Sequence, residues 1–214
     1  MRQQHIEKIL EKKVIAIVRG IWGEDCLNLA KALYAGGVEL LEVTFDQVSV
    51  EKQQKTVDTI RLLVENLGDK MAFGAGTVTT VEMVNMAKAA GGQFIVSPDT
   101  YEDVIRATVA ADMVSIPGAM TPTEIATAHR CGGDFIKVFP VAQLGAGYIK
   151  NVAAPLSQVR MLAVGGVDAN NIESYMKAGA VGAGVAGSLF TKEWVAAGAW
   201  DKITEATREF VSKL

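Results

Sequence analysis

Short apolar runs alternate along the chain with longer segments in which apolar residues recur every three or four positions. Runs rich in β-branched and aromatic residues predict buried strands, whereas the longer amphipathic segments predict helices. The predicted strands are Val14–Val18, Leu40–Phe45, Met71–Ala75, Phe94–Val96, Met113–Ile116, Phe135–Phe139, Met161–Val164 and Val181–Val185. The predicted helices between and after them are Glu24–Ala35, Val50–Leu67, Val81–Ala90, Tyr101–Ala110, Thr123–Cys131, Ala146–Val152, Asn170–Ala178 and Ala196–Leu214.

The alternation of strand and helix continues through the whole chain and predicts an α/β fold. No long linker rich in proline, serine or charge interrupts it, so we expect residues 1–214 to form one domain, preceded by an amphipathic N-terminal helix within Met1–Lys13. Eight β-α units of about 20 to 25 residues are what a single closed parallel (β/α)8, or TIM, barrel requires. An open doubly wound sheet is the alternative that this pattern leaves.

Composition and charge argue against several classes of partner. The 214 residues include 21 basic and 24 acidic side chains, mixed along the chain, so no basic stripe indicates a nucleic-acid partner. No apolar run reaches the roughly 18 residues that span a bilayer, and Met1–Lys13 lacks the apolar core of a signal peptide, so no membrane association is expected. Cys26 and Cys131 lie far apart in predicted helices, which indicates small core residues and a reducing, cytoplasmic location.

Lys137 lies in the sixth predicted strand, where neither face looks solvated. By two-residue alternation it shares one face with Phe135 and Phe139, while Ile136 and Val138 form the other. Loss of solvent disfavours the charged amine and lowers its pKa, which makes lysine a nucleophile toward carbonyl groups. A buried lysine paired with a carboxylate for structural reasons is the alternative interpretation.

Glu42 lies in the second predicted strand and points into the predicted barrel. Alternation directs Leu41 and Val43 toward the helices and leaves Glu42 and Thr44 facing inward, where a lone carboxylate is costly. The functional interpretation is a general acid/base whose pKa is tuned by burial and a nearby amine. The alternative is a structural salt bridge, for example to Lys137. We favour the catalytic role because both groups project into one barrel mouth.

Polar and special residues collect at the C-terminal ends of the predicted strands, where the active sites of such barrels lie. They are Arg19, Glu42, Thr44, Gly74–Thr77, Ser97, Pro98, Pro117, Gly118, Lys137, Gly165, Gly166, Gly187 and Ser188. The glycines after the seventh and eighth strands occupy the positions where these barrels commonly bind phosphate through backbone N–H groups. Ordinary turn chemistry is the alternative explanation for them.

Two other kinds of site are not supported. Gly182–Gly187 matches the pattern G-x-G-x-x-G, but too little chain follows to complete a dinucleotide-binding β-α-β unit. His5 and His129 are isolated on predicted helices, and no His, Cys or carboxylate cluster has the spacing of metal ligands. We therefore expect neither a cofactor nor a metal.

Seven short motifs occur in unbroken order between Val14 and about Phe190. They are Ile15–Arg19, Glu42–Thr44, Phe73–Val78, Phe94–Pro98, Ile116–Glu124, Ile136–Pro140 and Gly165–Val167. In this number and order they resemble the motifs of the 2-keto-3-deoxy-6-phosphogluconate (KDPG) aldolase family. That family includes 4-hydroxy-2-oxoglutarate (KHG) and 2-keto-3-deoxy-6-phosphogalactonate (KDPGal) aldolases.

The resemblance implies a (β/α)8 homotrimer that cleaves 2-keto-3-deoxy sugar acids to pyruvate and an aldehyde. The implied route is class I, with a Schiff-base lysine at Lys137, an acid/base carboxylate at Glu42 and no metal. The implied substrate-binding residues are Thr77 for the pyruvate carboxylate, Pro98 and Phe139 beside the pyruvyl group, and Arg19, Gly165, Gly166, Gly187 and Ser188 at the far, phosphate-binding end.

Two departures from the family pattern leave the substrate open. Asp46 stands where the phosphogluconate enzymes usually carry a substrate-contacting arginine, and Ala163–Gly166 replaces Pro-Thr-Gly-Gly with a form more like the KDPGal branch. A phosphorylated sugar acid is favoured, with KHG or an unphosphorylated acid as alternatives.

Three other functions are less favoured. A sugar-phosphate epimerase or isomerase would need an acid/base pair and metal ligands that this sequence lacks. A non-catalytic sugar-acid-binding barrel or a structural barrel would leave Lys137 and Glu42 unexplained.

Overall fold

The apolar runs form parallel strands that assemble into one sheet in the computed structural model, which describes residues 1–214. The strands are β1 (Val14–Val18), β2 (Leu40–Thr44), β3 (Ala72–Gly76), β4 (Phe94–Val96), β5 (Val114–Ile116), β6 (Gly118–Ala119), β7 (Ile136–Val138), β8 (Met161–Val164) and β9 (Gly182–Val185). Their order across the sheet is β5-β4-β3-β2-β1-β9-β8-β7-β6. Every neighbouring pair is parallel, as strands joined by crossover helices must be.

The sheet curls into a nearly closed barrel because its two end strands are neighbours along the chain. Pro117 separates β5 from β6, since proline has no N–H group to give to a sheet ladder. β5 pairs with β4 at one end of the sheet, and β6 pairs with β7 at the other end. Because only Pro117 separates β5 from β6 along the chain, the two ends of the sheet lie next to each other. The predicted barrel is therefore confirmed, and the open doubly wound sheet is excluded. The short strand β6, which follows the fifth predicted strand after Pro117, was not predicted.

Helices precede, separate and follow the strands along the chain. They are α1 (Arg2–Lys12), α2 (Gly23–Ala35), α3 (Val50–Leu67), α4 (Val81–Ala89), α5 (Glu102–Ala110), α6 (Pro122–Arg130), α7 (Gly145–Ala153), α8 (Ile172–Lys177), α9 (Lys192–Ala196) and α10 (Trp200–Val211). Helices α2 to α8 lie between strands and cover the outside of the barrel, whereas α1 precedes β1 and α9 and α10 follow β9. The prediction of one final helix over Ala196–Leu214 was wrong. Gly198, at φ 63°, ends α9, and α10 begins two residues later.

Four helices begin with a hydroxyl side chain that accepts a hydrogen bond from the first helical turn. The capping residues are Ser49, Thr80, Thr121 and Thr191, and Thr121 also forms a capping box with Glu124. Such a cap typically stabilises a helix by about 1 kcal/mol because it satisfies a backbone N–H that has no partner within the helix. The caps fix where each helix begins after the loop at the C-terminal end of a strand.

The core has two parts, one outside the strands and one inside the barrel. The outer part packs residues such as Leu41 and Val43 against the helices. The inner part contains strand residues such as Leu40 and Leu162, together with Ile6 and Ile9 of α1. Helix α1 therefore packs against the barrel interior at one end, while the polar residues lie at the C-terminal ends of the strands.

The structure also shows the surroundings of the two cysteines and the character of the helices. Cys26 is buried and Cys131 is half-buried, and both are free thiols. Burial raises the pKa of the Cys26 thiol to about 12, as expected of an unreactive core residue. None of the helices combines the length and the apolar character needed to cross a membrane.

Candidate active site

The C-terminal ends of the strands surround a pocket of about 430 Å³. Nine of the ten residues predicted for the site line this pocket, namely Arg19, Thr77, Pro98, Lys137, Phe139, Gly165, Gly166, Gly187 and Ser188. Glu42, the tenth, is not part of the wall and is buried among the strands. The pocket also has lining residues that the sequence analysis did not single out, including Ile17, Asp168 and Ala186.

Lys137 reaches the pocket from the centre of β7, between the packed barrel interior and the solvent. Its backbone N–H donates to the Pro117 carbonyl at 2.9 Å, which places β7 against the interrupted strand. The residue is 8% exposed, and Nζ lies 4.7 Å from the centroid of the Phe139 ring. Burial lowers the pKa of Lys137, and Arg19 acts in the same direction while Glu42 opposes both. Burial therefore makes the neutral, nucleophilic amine easier to form than it is for a solvated lysine.

Glu42 is enclosed between β1 and β3, where its residue is 3% exposed. A side chain at Gly76 would fill this space, because a Cβ built there would lie 2.8 Å from Glu42 Cδ. Burial raises the pKa of Glu42 to about 7, although the charges of Lys137 and Arg19 act to lower it. The glutamate and Lys137 interact through space without a direct ion pair, so the structural salt bridge considered above does not form. A carboxyl group with this pKa can both give and take a proton near neutrality.

Thr77 and Arg19 form a polar pair on the side of the pocket near Glu42 and Lys137. Arg19 Nη2 donates to Thr77 Oγ1 at 3.0 Å, and the Arg19 charge influences the pKa values of both Glu42 and Lys137. The resemblance places Arg19 at the far, phosphate-binding end, and Arg19 does line a smaller neighbouring pocket together with Gly187, in the segment after β9. Arg19 therefore borders both the residue expected to bind the pyruvate carboxylate and the segment expected to bind phosphate.

The opposite side of the pocket is formed by the chain after β8 and β9. Gly165 and Gly166 have φ values of 92° and 79°, which favour glycine. Ser188 Oγ donates to the Val167 carbonyl at 3.0 Å and so joins the two segments. Asp168 lies in the same wall, where its Oδ1 accepts backbone N–H groups of Asn170 and Asn171 at 2.8 and 3.1 Å. An aspartate just ahead of two asparagines is the sequence pattern that could have predicted this turn.

Asp46 does not face this pocket. Its Oδ1 accepts the backbone N–H groups of Ser49 and Val48 at 2.7 and 2.9 Å, and its Oδ2 lies 3.6 Å from Lys52 Nζ. The two backbone hydrogen bonds lower the pKa of Asp46, and the nearby Lys52 adds to the effect. The carboxylate thus organises the turn before α3, and Asp46 is not among the residues that line the large pocket.

The donor set of the chain does not resemble a metal centre. No group of three or more His, Cys, Asp or Glu side chains is arranged to hold a metal ion. The groups that do converge are a desolvated amine, a carboxyl group of raised pKa, a hydroxyl–guanidinium pair and a glycine-rich wall. Together they can attack a carbonyl carbon, move a proton and hold anionic groups at two ends.

Comparisons with known proteins match this chain over most of its length. The family model described as KDPG and KHG aldolase matches residues 6–206. A 2-dehydro-3-deoxy-6-phosphogalactonate aldolase from Escherichia coli K12 is 35% identical over 178 residues, covering 83% of this chain and 84% of that protein. A 2-dehydro-3-deoxy-phosphogluconate aldolase from Haemophilus influenzae is 31% identical over 211 residues, covering 98% of this chain and 96% of the relative.

A solved structure extends the similarity from sequence to fold. The KDPG aldolase of Legionella pneumophila, with pyruvate captured as a covalent carbinolamine, is 28% identical and superposes with a TM-score of 0.84. The alignment covers 95% of this chain and 96% of that one. With the barrel, the arrangement of the pocket and the family-model match in agreement, the chain belongs to the KDPG and KHG aldolase family.

Proposed function

We propose that this chain is a class I aldolase, an aldehyde-lyase that cleaves a 2-keto-3-deoxy sugar acid to pyruvate and an aldehyde. The observation that carries this proposal is the desolvated amine of Lys137 in the pocket, close enough to the buried Glu42 carboxyl group, of pKa about 7, for the two charges to affect each other. The membership of the aldolase family supports the same reaction.

Lys137 acts first, as the nucleophile. Its neutral Nζ adds to the C2 ketone of the substrate to give a carbinolamine, which takes up a proton from solvent and loses water to form an iminium ion. The iminium accepts the electron pair of the C3–C4 bond as that bond breaks, leaving an enamine of pyruvate. The carbinolamine captured in the Legionella relative is the same kind of intermediate in that protein.

Glu42 moves the protons that this sequence requires. Directly or through a water molecule, its carboxylate takes the proton of the C4 hydroxyl while the C3–C4 bond breaks, so that C4 leaves as an aldehyde. The protonated carboxyl then gives a proton to C3 of the enamine, and water hydrolyses the resulting iminium to pyruvate and free Lys137. A pKa of about 7 suits a group that must act in both directions at neutral pH.

The walls of the pocket give the substrate its orientation. Thr77 and Arg19 hold the carboxylate next to the ketone, and Pro98 and Phe139 flank the pyruvyl group. The backbone N–H groups of the Gly165–Gly166 and Gly187–Ser188 segments hold a phosphate at the far end. We favour a 6-phosphorylated substrate, KDPG or KDPGal, because Asp46 is held in its own turn and so does not repel an anion in this pocket.

KHG or an unphosphorylated 2-keto-3-deoxy acid is the second candidate substrate. The observation that favours it is Asp168, whose carboxylate adds negative charge to the wall where phosphate would bind. The class of reaction is the same for both candidates, since Lys137 and Glu42 act on C2 to C4, which both substrates share.

The proposal extends to the assembly and location of the protein. We take residues 1–214 as one domain that forms a homotrimer in the cytoplasm. Family membership supports the trimer, and the free thiols of Cys26 and Cys131 support a reducing compartment. Light scattering during gel filtration measures the subunit number directly, and a monomer or dimer would contradict the trimer.

Borohydride trapping tests the proposed function. Reduction in the presence of pyruvate should add a pyruvate-derived mass to the peptide that contains Lys137, and Lys137→Ala should abolish the adduct. Lys192→Ala is the matched control, because Lys192 lines a smaller neighbouring pocket and should leave labelling unchanged. An adduct on another lysine, or no adduct in the wild-type protein, would overturn the proposal. A panel of 2-keto-3-deoxy acids then identifies the substrate by pyruvate release.

A further inference from the structure

Thr77 has a backbone conformation that its side chain disfavours. Its φ of 56° lies in the left-handed region, although threonine is β-branched and β3 ends only one residue before it. Residues of this kind persist only where the surrounding structure holds them in place, and they are concentrated at functional sites. Thr77 lines the pocket and accepts the hydrogen bond from Arg19, so its conformation directly affects the site.

Gln47 supplies the contact that holds Thr77. It lies in the loop between β2 and α3, and its Nε2 donates to the Thr77 carbonyl at 2.7 Å. The hydroxyl of Thr79 donates to Gln47 Oε1 at 2.6 Å. The Thr77 carbonyl can only accept a hydrogen bond, so it takes the Gln47 N–H group and leaves the amide oxygen to accept from the Thr79 hydroxyl.

The loop that carries Gln47 is itself anchored to α3. The Asp46 carboxylate accepts the N–H groups of Val48 and Ser49, and the Asp46 carbonyl accepts a hydrogen bond from Gln53 Nε2 at 2.9 Å. These bonds fix the residues on both sides of Gln47. The amide is therefore presented to Thr77 from an ordered turn, even though the Gln47 side chain is exposed.

We propose that Gln47 is a positioning residue that sets the affinity of the site for the substrate carboxylate by holding Thr77 in its left-handed conformation. The bond to the Thr77 carbonyl keeps Thr77 Oγ1 directed toward Arg19 and the pocket. This inference rests on the proposed function, since it takes Thr77 and Arg19 as the groups that bind the carboxylate. It also gives a role to the loop that follows the Glu42 strand.

The first test compares two Gln47 variants with the wild-type protein by borohydride inactivation at a series of pyruvate concentrations. Gln47→Met removes both hydrogen bonds, and Gln47→Glu keeps the acceptor for Thr79 but cannot donate to the Thr77 carbonyl. We expect the half-saturating pyruvate concentration to rise about three- to tenfold in both variants, as the loss of one hydrogen bond implies. The maximal rate of inactivation should change less than about twofold, because the bond contributes to binding and not to the step at Lys137.

Gln54→Met is the matched control, because Gln54 lies on α3 and its Nε2 bonds only to Asp58 Oδ1, at 3.0 Å. It should leave the half-saturating concentration unchanged. Melting temperatures of all variants should agree within about 2 °C, which would show that any change in pyruvate affinity does not come from unfolding.

A double-mutant cycle separates positioning from a general structural role. Glycine adopts positive φ without steric cost and has no hydroxyl. Thr77→Gly therefore removes both the strain that the Gln47 hydrogen bond offsets and the hydroxyl group that this bond positions. Adding Gln47→Met to Thr77→Gly should then cause no further loss of pyruvate affinity. The same loss in both backgrounds would overturn the inference.

The outcomes distinguish this inference from the proposed function on which it rests. If the wild-type protein forms no pyruvate adduct at Lys137, the proposed function and this inference fail together. If the wild-type adduct forms and both Gln47 variants saturate like the wild type, only the role of Gln47 is overturned.

Discussion

Neutralising Glu42 should change the pH dependence of stability in a direction that the structure fixes. In the unfolded chain this carboxyl group releases its proton near its ordinary pKa of 4.5, whereas in the folded chain burial delays release until about pH 7. Between these values the unfolded state binds fewer protons than the folded state, so the wild-type protein loses stability as pH rises through this window. Glu42→Gln carries no charge at any pH and should escape this loss.

The size of the effect follows from the two pKa values. A change from 4.5 to about 7, at about 1.4 kcal/mol for each tenfold change in proton affinity, corresponds to about 3 kcal/mol. The variant should therefore gain up to about 3 kcal/mol relative to the wild type between pH 4.5 and pH 8. For a chain of this length that gain is equivalent to about 6 to 12 °C in melting temperature.

Urea unfolding at a series of pH values from 4.5 to 8, at fixed protein concentration, measures the difference. The upper limit matters because the Glu42 charge raises the pKa of Lys137, so its removal alters lysine titration at higher pH. Glu65→Gln on the exposed face of α3 is the matched control and should show no such pH-dependent gain.

Activity should respond in the opposite sense to stability. The wild-type kcat/KM for cleavage should rise through about pH 7 as the Glu42 base deprotonates. Glu42→Gln should lower turnover by a factor of about 10² to 10⁴ and abolish the rise of kcat/KM around pH 7. A stability difference independent of pH would show that the carboxyl group is solvated. A variant that is less stable at pH 8 and turns over normally would show that Glu42 is a structural anion.

The remaining predictions concern the space around Glu42, the need for metal and the far end of the substrate. Gly76→Ala should lower kcat/KM at least tenfold, because the added methyl group displaces the Glu42 carboxylate; normal activity would refute this packing argument. Exhaustive chelation should leave the cleavage rate unchanged, since the iminium serves as electron sink, and a loss restored by a divalent ion would contradict the class I route. Phosphorylated substrates should be preferred at least tenfold in kcat/KM, about 1.4 kcal/mol, and equal rates would favour KHG or an unphosphorylated acid.

The sequence contains enough local information to define the barrel and the direction of its main side chains. Strand and helix periods differ, and in a strand the direction of a side chain depends only on whether its position is odd or even. Alternation therefore places Glu42 and Lys137 on inward faces, and in the structure Lys137 lines the pocket while the Glu42 carboxyl group lies against Gly76. The sequence also predicts that the polar residues at the C-terminal ends of the strands lie at one mouth of the barrel, because all strands of a parallel barrel point the same way.

Tertiary structure decided the contacts that depend on residues far apart in the chain. Long side chains choose among several rotamers, so the pairing of Arg19 with Thr77 follows from the surrounding charges and space and not from strand position. The turn that holds the Asp46 carboxylate and the left-handed Thr77 held by Gln47 likewise arise where two loops meet. The raised pKa of Glu42 is also a tertiary property, because burial by neighbouring strands sets the cost of its charge.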